Sequence, residues 1–142
     1  MKIIKLIFCE DEFYGGGQKT LNSLKYFHPE FKIIKCGTKE IKDLKIKYNC
    51  EDIRFIAPFA IKEIWELERP DLLIKMGGDL LVLGKMEEII NLNYDCAAGR
   101  NDTDLIRGDE SNNRPDIIRD IPNSEWVNAD LIAIKNYRFV EQ

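Results

Sequence analysis

The chain has 142 residues, enough for one domain, and its 44% hydrophobic and 32% charged content excludes collagen-like, low-complexity and disordered classes. Lys and Arg number 21 against 25 for Asp and Glu, a net charge of −4, and the balance argues against a phosphate-backbone partner such as nucleic acid. No apolar run approaches the ~20 residues that span a bilayer, and Met1 to Cys9 is too short for a signal segment, so a cytoplasmic setting is expected.

Strand and helix patterns alternate along the chain. Ile3 to Cys9 is an apolar run of strand length. After Gly15-Gly16-Gly17, the residues Leu21, Leu24 and Phe27 recur at helical spacing. Phe31 to Cys36 reads as a second strand. Lys39 to Tyr48 reads as a helix with Ile41, Leu44 and Ile46 as its apolar positions, Thr38 as its cap and its lysines on a solvated face. Ile53 to Ile56 is short and β-rich, ending at Ala57-Pro58. Ile61, Ile64, Trp65 and Leu67 form one helical face, with Trp65 in the core, stopped by Pro70.

Leu72 to Met76 reads as a strand, apolar but for Lys75. Gly77-Gly78-Asp79 interrupts it, and Leu80 to Leu83 resumes as strand as far as Gly84. Met86 to Ile90 reads as a short helix and Tyr94 to Ala98 as a buried strand. Gly99 to Ser124 is polar and, at that length, reads as a functional loop or lid. Trp126 to Ile134 closes with a strand, and Tyr137 to Val140 opens a helix. The alternation predicts a single α/β domain over residues 1–142 with a mainly parallel sheet. Ligands of such sheets bind at the carboxyl ends of strands, which nominates Glu10–Gly17, Ala57–Pro58, Gly77–Asp79 and Gly99–Asp104.

Two chemistries are poorly supported. Cys9, Cys36, Cys50 and Cys96 contain no C-x-x-C pair, so neither a disulfide framework nor a zinc site is expected. His28, the single histidine, reads as a surface turn residue. Gly15-Gly16-Gly17-Gln18-Lys19-Thr20 lacks the spacing of a phosphate-binding loop, because Gln18 and Phe13 stand where glycines belong. Thr20 likewise stands at the third glycine of the dinucleotide pattern.

The segment Lys75-Met76-Gly77-Gly78-Asp79-Leu80 is more informative. A carboxylate between apolar runs must find a cation, a donor or solvent, since burying it alone costs several kcal/mol. The two glycines admit close approach of another molecule, or else form a simple bulge with a turn aspartate; local chemistry leaves both open.

This segment resembles the D-x-D region of GT-A-fold glycosyltransferases, family 8-like and glycogenin-like. Cys9-Glu10-Asp11-Glu12-Phe13-Tyr14 through Gly17, followed by Leu21 and Ser23-Leu24, is similar to the family's opening strand, Asp, Tyr and Ser-Leu helix. Tyr94-Asp95-Cys96-Ala97-Ala98 resembles the strand after the D-x-D. Trp126-Val127-Asn128-Ala129-Asp130 and the aliphatic run to Ile134 resemble its aromatic and Asn-Ala-Gly segment. The resemblance implies a GT-A-type three-layer sandwich lacking most of the acceptor-binding half. It implies transfer of a sugar from a nucleotide-diphosphate donor to an unknown acceptor. In that reading Asp79 holds Mn2+ or Mg2+, while Cys9, Asp11, Tyr14, Gly77 and Gly78 contact the nucleotide. Asn128 and Asp130 lie at the sugar, and Arg100, Arg107 and Arg114 are diphosphate candidates. Gly77 replaces the first Asp of the motif and Asp130 replaces its usual Gly. A non-catalytic nucleotide-sugar-binding module, or a truncated paralogue, is the rival reading.

Overall fold

The computed structural model describes residues 4–9, 17–52, 55–100, 127–136 and 138; in 4–9, 99–100 and 127–129 it describes the backbone alone. Five strands and four helices follow one another among these residues: β1 (Ile4–Cys9), α1 (Gly17–Phe27), β2 (Lys32–Cys36), α2 (Thr38–Lys47), α3 (Ile56–Glu68), β3 (Leu72–Gly77), α4 (Glu87–Ile90), β4 (Cys96–Arg100) and β5 (Val127–Ile134). The strands form one sheet in the order β2-β1-β3-β5-β4.

The expectation of a mainly parallel sheet holds on one side only. β1 pairs in parallel with β2 and with β3, whereas β5 runs antiparallel between β3 and β4. The sheet is therefore mixed. Apolar runs can identify a buried strand but carry no record of its direction.

β3 explains the layering. Every residue from Leu72 to Gly77 is buried, and successive side chains leave the sheet on opposite faces. Leu73 joins Ile41, Leu44, Ile56, Ala60, Ile61 and Trp65 beneath α2 and α3. Leu72, Ile74 and Met76 join Leu24, Phe31 and Val82 on the other face, beneath α1. Helices thus cover both faces of β3. Lys75 is the one charged residue on this strand, buried on the α2–α3 side.

The helices follow local chemistry with a few departures from expectation. Thr20 and Leu24 bury one stripe of α1, with Leu21 and Phe27 half-buried beside it. In α2, Gly37 and not Thr38 is the N-cap. The Glu40 carboxylate reaches back to accept the Gly37 N–H at 3.0 Å, a backbone donor that the helix itself leaves unpaired. Ile46 points to solvent, as does Leu67 of α3, because both fall off the stripes formed by Ile41 and Leu44 and by Ile61 and Trp65.

α3 begins at Ile56, so Ala57-Pro58 lie in its first turn and not at a strand end. Proline is tolerated there since its missing N–H has no intrahelical partner anyway. Ile53 and Arg54 lie outside the described residues. The helix stops at Arg69, which takes the left-handed conformation before Pro70.

Two further corrections concern the stretch after β3. Leu80 to Leu83 is not a strand: Val82 is buried, but Leu81 and Leu83 face solvent, and among the described residues no strand pairs with them. β4 starts only at Cys96, and Tyr94 is exposed. Trp126 and the stretch from Tyr137 lie outside the described residues except for helical Arg138. Cys36, Cys50 and Cys96 are free thiols, and burial pushes the Cys96 thiol up.

His28 is a core residue and not a surface one. Its ring is 1% exposed and stacks on Phe31. Nε2 accepts the Met86 N–H at 2.8 Å, which requires the proton on Nδ1, and Nδ1 lies 3.0 Å from Glu30 Oε1. That bond holds the Glu30 carboxyl below its ordinary range. Replacing His28 by Leu, which keeps bulk but removes the acceptor, is expected to cost about 1–3 kcal/mol in urea unfolding through the stranded Met86 N–H. Unchanged stability would mean that this bond holds nothing together.

Candidate functional site

The site lies where β1 and β3 end. In the parallel register Cys9 sits beside Gly77, and Cys36 beside Cys9. The three residues mark one carboxyl edge of the sheet, the side on which such sheets take ligands. Beyond Gly77 the chain turns through Gly78 and Asp79.

Gly77 is buried, and the space its side chain would fill has acidic walls. A Cβ placed on it would stand 3.0 Å from Asp79 Oδ1 and 3.4 Å from Asp130 Oδ1. Two carboxylates from different elements therefore point at one small cradle. Among the described residues no group of three or more His, Cys, Asp or Glu side chains gathers anywhere. Among the described side chains the cradle offers two hard oxygen donors. That set suits Mg2+ or Mn2+, which keep further positions for water or phosphate oxygens.

Three side chains that the sequence reading did not single out for the site hold the segment carrying Asp79. Thr20 on α1 is 1% exposed. Its hydroxyl meets the carbonyl oxygens on both sides of Asp79, that of Gly78 at 2.9 Å and that of Leu80. Ser23, one turn on, accepts the Val82 N–H at 3.0 Å and donates to the Thr20 carbonyl at 2.8 Å. His28 then takes the Met86 N–H. Backbone groups that a neighbouring strand would satisfy are satisfied here by side chains of α1 and of the turn after it. The available signal was the presence of Thr20 and Ser23 on the same side of α1 as Leu24.

The other sequence candidates divide clearly. Asn128 lies on β5, paired in register with Gly99 of β4. Arg100 ends β4. Asp11, Tyr14, Arg107, Arg114 and most of the polar loop lie outside the described residues. A separate cavity of about 280 Å³, lined by Ile34, Cys36, Leu44, Ala60 and Ile64 among others, opens along β2, two strands away from β3. No described helix is long and apolar enough to cross a membrane.

No protein-family profile and no curated protein matches the chain. Solved structures do. The fold is similar to a galactosyltransferase, LgtC, solved in complex with donor and acceptor sugar analogues, at TM-score 0.57 and 15% identity over 97% of this chain and 60% of that one. It is equally similar to the glycosyltransferase GlyE of Streptococcus pneumoniae TIGR4, at TM-score 0.60 and 16% identity over 99% of this chain and 36% of that one. The chain has a glycosyltransferase-like fold and spans 60% of the first neighbour's length and 36% of the second's.

Thr20→Val, which keeps the shape of the side chain but loses the one hydroxyl proton shared between the two carbonyls, is expected to lower stability by about 1–2 kcal/mol in urea unfolding. Thr20→Ser should recover most of that loss. Equal behaviour of the two variants would show that the hydroxyl does not anchor the turn.

Proposed function

We propose that the chain is a GT-A-type, family 8-like glycosyltransferase domain that binds a nucleotide-diphosphate sugar with the help of a divalent cation on Asp79. One observation carries the reading: the Asp79 carboxylate stands over the Gly77 cradle, where β3 ends, in a fold shared with glycosyltransferases. Cys9, beside Gly77, and the glycines of the turn would border the nucleotide, together with Asp11 and Tyr14. Asn128 would serve the sugar, since an amide can both donate to and accept from hydroxyls.

In the transfer, the bond between the anomeric carbon and the diphosphate oxygen breaks, and an acceptor oxygen bonds to that carbon and gives up its proton. A cation at Asp79 would supply charge neutralisation for the departing nucleoside diphosphate. The protein's own contribution is to hold the backbone around Asp79: the Thr20 hydroxyl shares its proton between the two flanking carbonyls, which reduces the ordering left to be done when the donor arrives. The proposed setting is the cytoplasm, where nucleotide-linked donors are at hand.

Calorimetric titration with UDP and with GDP, each with and without Mn2+, tests the reading on wild type and Asp79→Asn. Metal-dependent binding of one nucleotide that weakens about tenfold or more in the variant is the expected result. Binding indifferent to both metal and substitution would assign the chain to a metal-independent nucleotide-binding module. No binding of either nucleotide would overturn the proposal.

A further inference from the structure

We infer that Asp130 binds the divalent cation together with Asp79, supplying from β5 the carboxylate that Gly77 does not carry; the inference rests on the sugar-transfer reading above. The ladder between β3 and β5 runs from Leu73 opposite Ile134 to Met76 opposite Leu131. One step further sets Gly77 opposite Asp130. Opposed residues of an antiparallel pair project from the same face, and here that is the α2–α3 face, where Leu73 and Ile134 pack together.

The space confirms the pairing. The position of a Gly77 Cβ is 3.7 Å from the Asp130 Cβ and 3.4 Å from its Oδ1. The Asp130 carboxylate therefore occupies the ground beside Asp79 into which a side chain at residue 77 would have grown. In the D-x-D pattern the carboxylate belongs to residue 77, and the position of Asp130 is commonly Gly. In this chain the two are reversed: the acid has changed strands while staying at the same edge of the sheet.

The local backbone accommodates the change. On its other side β5 pairs with β4 irregularly, jumping from Ala98 opposite Ile132 to Gly99 opposite Asn128. Ala129, Asp130 and Leu131 therefore fall within the irregular stretch of the β4–β5 ladder. Such an irregularity bends a strand and re-aims its side chains, and it frees β5 to follow β3 at this point. A Cβ at residue 77 would meet the Asp79 oxygen at 3.0 Å and the Asp130 oxygen at 3.4 Å, so a side chain there fits only if these carboxylate ends give way. Asp130 thus belongs to the cation and the diphosphate it accompanies, not to the sugar pocket.

Titrating MnCl2 into the whole chain, with and without UDP, and following the free-ion signal by electron paramagnetic resonance tests this directly. Asp130→Asn preserves shape and removes only the charge, and it should weaken Mn2+ binding about tenfold or more, as Asp79→Asn does. The exchanged variant Gly77→Asp/Asp130→Gly should recover most of the affinity, which a merely structural Asp130 would not predict. Thermal melting of each variant identifies any that fail to fold, and Asp130→Asn alone then decides. Full Mn2+ affinity in a folded Asp130→Asn, with affinity lost in Asp79→Asn, would overturn the role of Asp130 and leave the sugar-transfer reading intact. Absence of Mn2+ binding by the wild type, with or without UDP, would overturn both.

Discussion

The arrangement depends on how a strandless segment is held. Residues 78–86 leave the buried end of β3 and pair with no other strand among the described residues, yet their backbone groups must be satisfied. Thr20, Ser23 and His28 meet that need at Gly78, Leu80, Val82 and Met86. α1 and the turn after it are therefore a docking rail for this segment as well as a hydrophobic cover. The candidate site inherits its order from the rail, because Asp79 lies between two carbonyls bound to one buried hydroxyl.

The sheet supplies the second constraint. β3 is buried on both faces and pairs in parallel with β1 and antiparallel with β5, so its end brings together residues from three distant parts of the chain. Cys9 comes from the first strand, Gly77 and Asp79 from the middle, and Asp130 from the last. A glycine at the centre of this convergence makes it possible for two acidic side chains to share the space. The likeness to LgtC and GlyE is a likeness of fold at 15–16% identity, and a shared fold does not by itself carry a shared chemistry.

Much of the fold was legible because burial leaves a periodic trace. Leu72 to Met76, Ile61 with Trp65, and Ile41 with Leu44 were identified from apolar spacing and are all in the core. Strand direction was not legible, since β5 shows the same aliphatic run whichever way it points. Leu80 to Leu83 misled because four aliphatic residues in a row satisfy the strand pattern. The hydroxyls that replace the missing ladder sit some sixty positions earlier, at Thr20 and Ser23. His28 misled for a related reason: a polar residue before a proline reads as surface, and its buried partner Met86 is remote in sequence. Asp79 was singled out by its neighbouring glycines and by the D-x-D resemblance. Its nearness to Asp130 needed the β3–β5 register, which no local pattern encodes.

The place of β5 also bears on the order in which the chain can assemble. β4 is tied into the sheet only through β5, so it has no lattice of hydrogen bonds to join until residues 127–134 have been synthesised. Until then the growing polypeptide carries β1, β2 and β3 with the far edge of β3 bare, an aliphatic edge of the kind that recruits other chains. Bringing Val127 back beside Arg100 across the intervening residues is a late and entropically slow event. Ribosome-stalled or prematurely terminated products ending between these two strands should therefore be strong clients of holding chaperones, until β5 seals the edge of β3.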